Sequence, residues 1–202
     1  MKRQQRLMEI IKTDEPLWAS GIVFAGMDEV GRGPLAGNVV AACVVMPKDP
    51  LIEWVDDSKK LSPKRREMVY EEILKTALYI GVGEATPEEI DAINILNATK
   101  EAMRRAAKKV PAELFLIDAI EGLGLAGQER GIIHGDALCY SIAAASIVAK
   151  VYRDHQMEAL DKMYPDYGFG QHKGYGTAQH IAVLKANGPC AAHRRSFIGN
   201  FV

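Results

Sequence analysis

Four acidic residues stand at or near the ends of apolar segments: Asp28, Glu29, Asp118 and Asp136. No Cys or His accompanies them at zinc-like spacing, so a site built from them offers oxygen ligands, which favour hard cations such as Mg²⁺ or Mn²⁺. Two such ions about 4 Å apart commonly assist hydrolysis of phosphodiesters. We therefore predict that the four acids are metal ligands and catalytic residues of one two-metal site.

Each acid also has a simpler interpretation. Asp28 and Glu29 could form a solvated turn, and Asp136 could be a helix N-terminal charge favoured by the helix dipole. Successive strand residues face opposite sides, so Asp28 and Glu29 share a site only if the strand ends or twists between them. The glycine at position 31 makes such a break plausible.

A glycine-rich loop follows the first two acids. Four glycines lie within residues 26–37, and the motif Gly31-Arg32-Gly33 places backbone N–H groups beside a cation. Glycine permits close backbone approach, and N–H groups next to a positive charge suit a phosphate or a sugar. We predict that this loop contacts substrate.

Basic and aromatic segments occur elsewhere in the chain. Lys59 and Lys60 form a lysine pair on a loop, residues 164–177 mix aromatic, glycine and basic residues, and residues 193–197 form a basic tail. Aromatic rings stack on sugars and bases, and cations meet phosphates. The alternative is that the lysines are ordinary solvated surface and the tyrosines belong to a structured loop.

Bulk composition predicts one catalytic domain spanning residues 1–202. The 202-residue chain is 48% apolar and has three distant cysteines, which suggests buried thiols rather than disulfides. A net charge of −1 argues against a generic nucleic-acid binder, although the charge is uneven along the chain. The amino terminus lacks a secretory signal and no run is long enough to span a membrane, so we expect a cytoplasmic monomer.

The acids require a sheet to bring them together. Apolar runs at residues 22–27 and 39–46 predict a β-hairpin, residues 79–82 a third strand, and residues 114–117 a buried strand ending at Asp118. Residues 137–150 predict a helix whose small side chains allow it to lie very close to the sheet, with Asp136 at its start.

Capping signals predict the remaining helices. Ser62-Pro63 begins a helix that runs to about residue 78, and Thr86 with Glu89 opens another that runs to about residue 110. We further expect a short amino-terminal helix at residues 1–12, a linker to about residue 20, and a last helix over residues 177–187. The segment 122–131 is predicted as a glycine-bearing loop, and a turn between strands is an alternative.

The chain resembles the bacterial ribonuclease HII family along nearly its whole length. The matching segments, in family order, are residues 26–37, 57–62, 117–118, 135–137, 141–150 with Arg153-Asp154, and 164–177 with His193-Arg194. Asn38 replaces the usual proline after Gly37, and residues 119–131 differ from the expected turn. Both departures lie outside the acids.

This resemblance implies a ribonuclease H-like mixed sheet flanked by helices, with a helical carboxy-terminal extension over about residues 164–202 that contacts substrate. It implies hydrolysis of RNA in RNA/DNA hybrids, and incision at ribonucleotides in duplex DNA, with roles in removing ribonucleotides and RNA primers. Gly31, Arg32 and Gly33 match the ribose-recognition loop and Tyr175 the tyrosine that senses the RNA–DNA junction. Further predicted substrate contacts are Ser58, Lys59, Lys60, Ser141, Lys150, Arg153, Lys173, His193 and Arg194.

Two other classes of function stay open at this point. A non-catalytic nucleic-acid-binding module would use its basic segments for affinity and would bind without metal. A DNA-directed nuclease or resolvase on the same fold would share the acids but would not read ribose. Residues 1–21 are too short for the additional amino-terminal domain of ribonuclease HIII.

Overall fold

A five-stranded mixed sheet forms the centre of the molecule. The computed structural model describes residues 2–202, and the strand order across the sheet is β3-β2-β1-β4-β5. β1 pairs antiparallel with β2 and parallel with β4, which pairs parallel with β5. The strands are β1 (Phe24–Val30), β2 (Val39–Val45), β3 (Tyr79–Ala85), β4 (Leu114–Asp118) and β5 (Gln128–Ile132).

Helices cover both faces of this sheet, which confirms the predicted α/β class. They are α1 (Lys2–Ile10), α2 (Glu15–Ser20), α3 (Pro63–Thr76), α4 (Pro87–Ala107), α5 (Gly135–Leu138), α6 (Tyr140–Met163), α7 (Phe169–His172), α8 (Ala178–Asn187) and α9 (Arg195–Ile198). The two long helices, α4 and α6, bury separate apolar clusters against opposite faces of β1 and β2. No helix in residues 2–202 is long and apolar enough to cross a membrane.

The register of the sheet places two of the acids side by side. Met27 of β1 pairs with Ile117 of β4, so the next residues, Asp28 and Asp118, lie on adjacent parallel strands. The carboxyl ends of β1 and β4 therefore meet at one edge of the sheet, as the sequence predicted.

Helix α6 approaches the sheet at a glycine. A methyl group on Gly26 would lie 2.1 Å from the backbone carbon of Ser141, closer than any side chain tolerates. The small residues of α6, Ala143, Ala144 and Ala145, are fully buried along the same contact. The predicted close packing of this helix on the sheet is confirmed.

Local signals correctly located the starts of two helices. Ser62 accepts a hydrogen bond from the N–H of Arg65 at the start of α3. Thr86 and Glu89 form a reciprocal capping box at the start of α4.

Four elements differ from the predictions. The expected linker contains α2, with Pro16 in its first turn, where proline is tolerated. The expected loop before Ile132 contains β5, which completes the sheet. The expected helix at residues 137–150 breaks at Cys139 and continues to Met163.

The fourth difference is a kink inside α4. Asn94 has φ 66°, which interrupts the helix and shifts its face. Ile93 and Leu96, on either side of the kink, are exposed, whereas Ile90 and Met103 of the same helix are buried.

Candidate active site

Three of the four predicted acids converge. Carboxylate oxygens of Asp28, Asp118 and Asp136 all lie within 4.8 Å of one another. Asp28 comes from β1, Asp118 ends β4, and Asp136 stands on α5, where the N–H of Gly135 donates to Asp118 at 2.8 Å. Such a set of oxygen atoms has the spacing and chemistry to hold a divalent cation.

The electrostatics of this cluster favour protonation until a cation arrives. Burial raises the pKa of Asp28 well above its ordinary value, and the nearby charges of Glu29 and Asp118 add to the effect. Burial also raises the pKa of Asp118, and Asp136 contributes. Bringing like charges this close costs free energy, which a bound cation would offset.

Glu29 lies outside the three-aspartate group. Strand β1 continues through Val30, so Asp28 and Glu29 are successive residues of an unbroken strand. The break that would let both side chains share one site does not occur in β1, and the two side chains face opposite sides. Glu29 Oε1 lies 3.4 Å from Arg32, and its Oε2 is buried without a hydrogen-bond partner among residues 2–202. Burial raises the pKa of Glu29, an effect that Arg32 opposes.

Lys59 is the cation nearest to the aspartates. Its Nζ lies 3.3 Å from Asp136 Oδ2, while 80% of its side chain remains exposed. Burial of the amine acts to lower its pKa, but Asp136 raises it overall. Lys59 therefore stands at the rim of the site, where it can reach both Asp136 and solvent.

The buried side chain of Arg194 holds the glycine-rich loop after β1 in place. Its guanidinium donates to the carbonyls of Gly31, Arg32, Pro34 and Gly37 at 2.6 to 3.1 Å. Burial lowers the pKa of Arg194 to about 9, so it stays charged at neutral pH. Because the carbonyls turn inward, the N–H groups of Arg32 and Gly33, which have no partner among residues 2–202, can meet a ligand.

Arg153 supports the same loop from α6. It donates to the carbonyls of Ala36, Asn38 and Lys173 at 2.9 to 3.1 Å. Gly31 has φ 92°, and a methyl group there would lie 2.3 Å from Arg153 Nε. Only glycine fits this position without strain.

Tyr175 stands next to this loop. The residue is 43% exposed, and a methyl group on Gly33 would lie 3.8 Å from the Cε1 atom of its ring. Leu35 N–H donates to the carbonyl of Gly174, which joins the loop to the segment carrying the ring. The structure thus brings the predicted ribose-recognition motif and the predicted junction tyrosine together.

Three buried histidines, His172, His180 and His193, form a cluster behind Tyr175. His193 Nδ1 accepts from the N–H of Cys190, so its Nε2 donates to His180 Nε2 at 3.0 Å. His180 Nδ1 in turn donates to the carbonyl of Tyr175 at 2.9 Å. The cluster is fully hydrogen-bonded only when these rings are neutral.

Four of the residues predicted to contact substrate have buried side chains, and their contact with substrate stays a prediction. Arg153 and Arg194 are fully enclosed and bind backbone carbonyls, and His193 belongs to the histidine cluster. Ser141 is also fully buried, and its hydroxyl donates to Asp14. These residues shape the site from behind.

The other predicted contacts have mixed positions. Ser58 is buried, with its hydroxyl 3.0 Å from that of Ser146, whereas Lys60 is largely exposed. Lys150 and Lys173 are partly buried in ion pairs with Asp154 and Glu158. A substrate contact by either lysine would compete with its ion pair.

The sequence did not reveal two residues that act near the acids. Ser146 of α6 opposes the rise in the pKa of Asp28, and its hydroxyl lies 3.0 Å from that of Ser58. Asp14, within the segment predicted as a linker, is fully buried against the start of α6. Pro16, two residues later, was a usable signal for a helix in this segment, because proline is tolerated in the first turn of a helix.

Comparison with known proteins identifies the family to which this chain belongs. A model of the ribonuclease HII family matches residues 25–200. Ribonuclease HII of Desulfitobacterium hafniense is 49% identical over 196 residues, 96% of this chain and 75% of that protein. The corresponding protein of Acetivibrio thermocellus is 46% identical over 205 residues, 100% of this chain and 80% of its own.

Solved structures share the fold. Ribonuclease HII of Archaeoglobus fulgidus, solved in a complex with PCNA, is 30% identical with a TM-score of 0.75, covering 86% of this chain and 94% of that chain. Ribonuclease H2 of Pyrococcus horikoshii is 26% identical with a TM-score of 0.72, covering 86% and 92%. The fold and the acid cluster together define a nuclease of the ribonuclease H class, which hydrolyses nucleic acid endonucleolytically. Within that class, the chain belongs to the ribonuclease HII family.

Proposed function

We propose that the protein hydrolyses the RNA strand of RNA/DNA hybrids and incises 5′ of ribonucleotides embedded in duplex DNA. The convergence of Asp28, Asp118 and Asp136 within 4.8 Å is the observation that carries this proposal. The products are 5′-phosphate and 3′-hydroxyl ends, and the cellular roles are removal of ribonucleotides and of RNA primers. The single domain spans residues 1–202, with residues 164–202 as its substrate-contacting extension.

The residues of the site fit divalent metal ions. The three aspartates supply hard oxygen ligands, and the orphaned Oε2 of buried Glu29 is a further oxygen without a partner among the described residues. Two bound Mg²⁺ or Mn²⁺ ions would activate water for attack on phosphorus and stabilise the departing oxygen. No side-chain nucleophile is required.

The surrounding residues would orient the substrate. Lys59 lies beside Asp136, so its exposed amine can attract the phosphate next to the cut. The N–H groups of Arg32 and Gly33 can meet the ribose 2′ hydroxyl, the atom that distinguishes RNA from DNA. Tyr175 would pack on the neighbouring sugar, since its ring adjoins Gly33.

One experiment separates this function from its rivals. Purified protein is incubated with a DNA duplex containing one ribonucleotide and with a matched all-DNA duplex, each with and without Mg²⁺. We expect metal-dependent cleavage of the first duplex only. Binding without cleavage would support a non-catalytic module, and equal cleavage of both duplexes would support a DNA-directed nuclease. The cytoplasmic location and monomeric state stay predictions.

A further inference from the structure

Asp136 stands on an element that cannot hold itself in place. Helix α5 has four residues, Gly135–Leu138, and the preceding His134 has φ 57°, a left-handed conformation that is unfavourable for a non-glycine residue. A single helical turn is unstable without outside contacts. The position of the Asp136 carboxylate therefore depends on what grips α5 and the residues that follow it.

Side chains of the amino-terminal segment, residues 2–20, make these contacts. Arg6 donates to the carbonyl of Ala137 at 2.7 Å, and the Thr13 hydroxyl donates to the carbonyl of Leu138 at 2.9 Å. Ala137 and Leu138 lie between Asp136 and the break at Cys139. Each of them is thus held by one side chain of this segment.

Asp14 adds hydrogen bonds to the residues that follow the break between α5 and α6. Its Oδ2 accepts from the N–H of Tyr140 at 3.0 Å and from Cys139 Sγ at 3.3 Å, and its Oδ1 accepts from the N–H and hydroxyl of Ser141. The carboxylate is fully buried at the start of a 24-residue helix, where the helix dipole favours negative charge. It thereby fixes the point from which α5 projects.

We propose that Arg6, Thr13 and Asp14 are positioning residues that hold Asp136 in place for metal binding. This inference rests on the proposed metal site. Residues behind metal ligands typically change metal affinity about 10- to 100-fold when removed, because they orient the ligands. The segment would act by restricting α5, without contacting either metal or substrate.

The test uses variants with matched controls on the same segment. Thr13→Val removes only the hydroxyl bond, Thr13→Ser restores it, and Ser20→Ala removes a hydroxyl that bonds Leu17 locally. Arg6→Lys loses the fork that spans Asp56 and Ala137, whereas Arg3→Lys alters an arginine that binds Asp56 but not α5. Asp14→Asn places an amide where a carboxylate faced N–H donors.

The measurements are calorimetric titration with Mn²⁺ alone, amide hydrogen exchange at residues 137–141, and cleavage kinetics at two Mn²⁺ concentrations. We expect Thr13→Val and Arg6→Lys to weaken Mn²⁺ binding by up to about 10-fold. Exchange at residues 137–141 should accelerate, KM should not change, and kcat should recover at high Mn²⁺. The two controls and Thr13→Ser should match the parent.

Each outcome is decisive. If Thr13→Val and Arg6→Lys bind Mn²⁺ with the parental dissociation constant, the positioning role is wrong, whatever their melting temperatures. If Asp14→Asn fails to fold, those two surface variants still decide the question. If the parent itself binds no Mn²⁺, the proposed function fails instead, and the two failures are thereby distinguished.

Discussion

We expect the carboxylate of Asp118 to be needed for function and to oppose folding. Its carboxylate lies within 4.8 Å of those of Asp28 and Asp136, and burial together with Asp136 raises its pKa. The substitution Asp118→Asn removes one repulsive charge and one of the proposed metal ligands. We expect cleavage of a one-ribonucleotide duplex to fall at least about 100-fold, while the metal-free variant melts at a higher temperature than the parent.

These two readouts come from a cleavage assay with Mg²⁺ and from thermal unfolding in a chelator. Parental cleavage would remove Asp118 from the catalytic site. A lower melting temperature without metal would show that the carboxylate stabilises the fold, contrary to the electrostatic argument.

Gly33 offers a cleaner test of ribose reading than Gly31. Gly31→Ala would collide with Arg153, so any loss of activity could reflect a distorted loop. Gly33 lies at a conventional φ with only the Tyr175 ring nearby, and Gly33→Ala should therefore fold normally. A methyl group there should hinder approach of the sugar and lower kcat/KM on the ribonucleotide duplex by about 10-fold or more, since several contacts of about 1 kcal/mol each depend on that approach.

Gly199→Ala is the matched control, because nothing lies within 4 Å of the added methyl group. Arg32→Ala should act differently, by weakening binding and flattening its salt dependence as one phosphate contact is lost. If Gly33→Ala cuts at the parental rate, the backbone of this loop does not read the sugar.

Tyr175 tests the neighbouring sugar contact. Its ring is exposed and adjoins Gly33, so Tyr175→Ala should reduce cleavage at single ribonucleotides more than cleavage of long hybrids. Tyr175→Phe should keep most activity, because the flat ring is retained. Equal effects of the alanine variant on both substrates, measured as kcat/KM, would contradict a junction-specific role.

At the scale of elements, the histidine cluster makes the stability of the carboxy-terminal extension depend on pH in the acid range. The titratable groups around His193 are His180, His172, Arg195, the neutral thiol of Cys190 and the neutral phenol of Tyr167. Burial, followed by the nearby His180, lowers the pKa of His193 from 6.5 to about 4, and burial also lowers the pKa of His180. The unfolded chain therefore binds more protons than the folded one between these two pH values, and stability falls as pH decreases from 6.5 to 4.

For His193 alone, that difference is at most about 3 kcal/mol. The buried aspartates act in the opposite direction, since their raised pKa values make acidification stabilising. His193→Gln keeps a donor for His180 but cannot be protonated, so the parent should lose more stability than this variant between pH 6.5 and 4. Parallel melting curves for both proteins across this range would show that the cluster does not titrate as described.

Sequence signals were strongest where one local contact decides the structure. Ser62 and Thr86 cap helices through their own hydrogen bonds, and the apolar runs of β1, β2 and β4 require burial on both faces. β5 was missed because its exposed, polar sequence is a strand only through pairing with β4. The kink at Asn94 likewise leaves no periodic signal.

The candidate site shows the same division. The meeting of Asp28 and Asp118 follows from parallel strands whose carboxyl ends share one edge of the sheet, and the close packing of the next helix brings Asp136 to them, so the convergence was predictable. The burial of Arg153 and Arg194 was not, because each satisfies its charge with backbone carbonyls from distant residues. From the sequence alone, a buried arginine of this kind cannot be distinguished from an arginine on the surface.

At the scale of the whole molecule, metal binding should stabilise the fold. A ligand that binds only the folded state at 100 times its dissociation constant contributes about 2.7 kcal/mol. For a chain of 202 residues, each kcal/mol raises the melting temperature by about 2 to 4 °C, so saturating Mn²⁺ should raise it by about 5 to 10 °C. Differential scanning calorimetry measures this shift, and Asp118→Asn should reduce it sharply.

Arg194 donates to the carbonyl of Gly31, a residue that precedes it by 163 positions. Ribosomes add about 5 to 20 residues per second, so about 10 to 30 seconds separate synthesis of the glycine-rich loop from synthesis of the arginine that shapes it. During this interval the emerging chain can form the sheet around β1 and β4 and can bring Asp28 to Asp118. It cannot yet hold the glycine-rich loop through Arg194, so these hydrogen bonds form only after residue 194 has been synthesised.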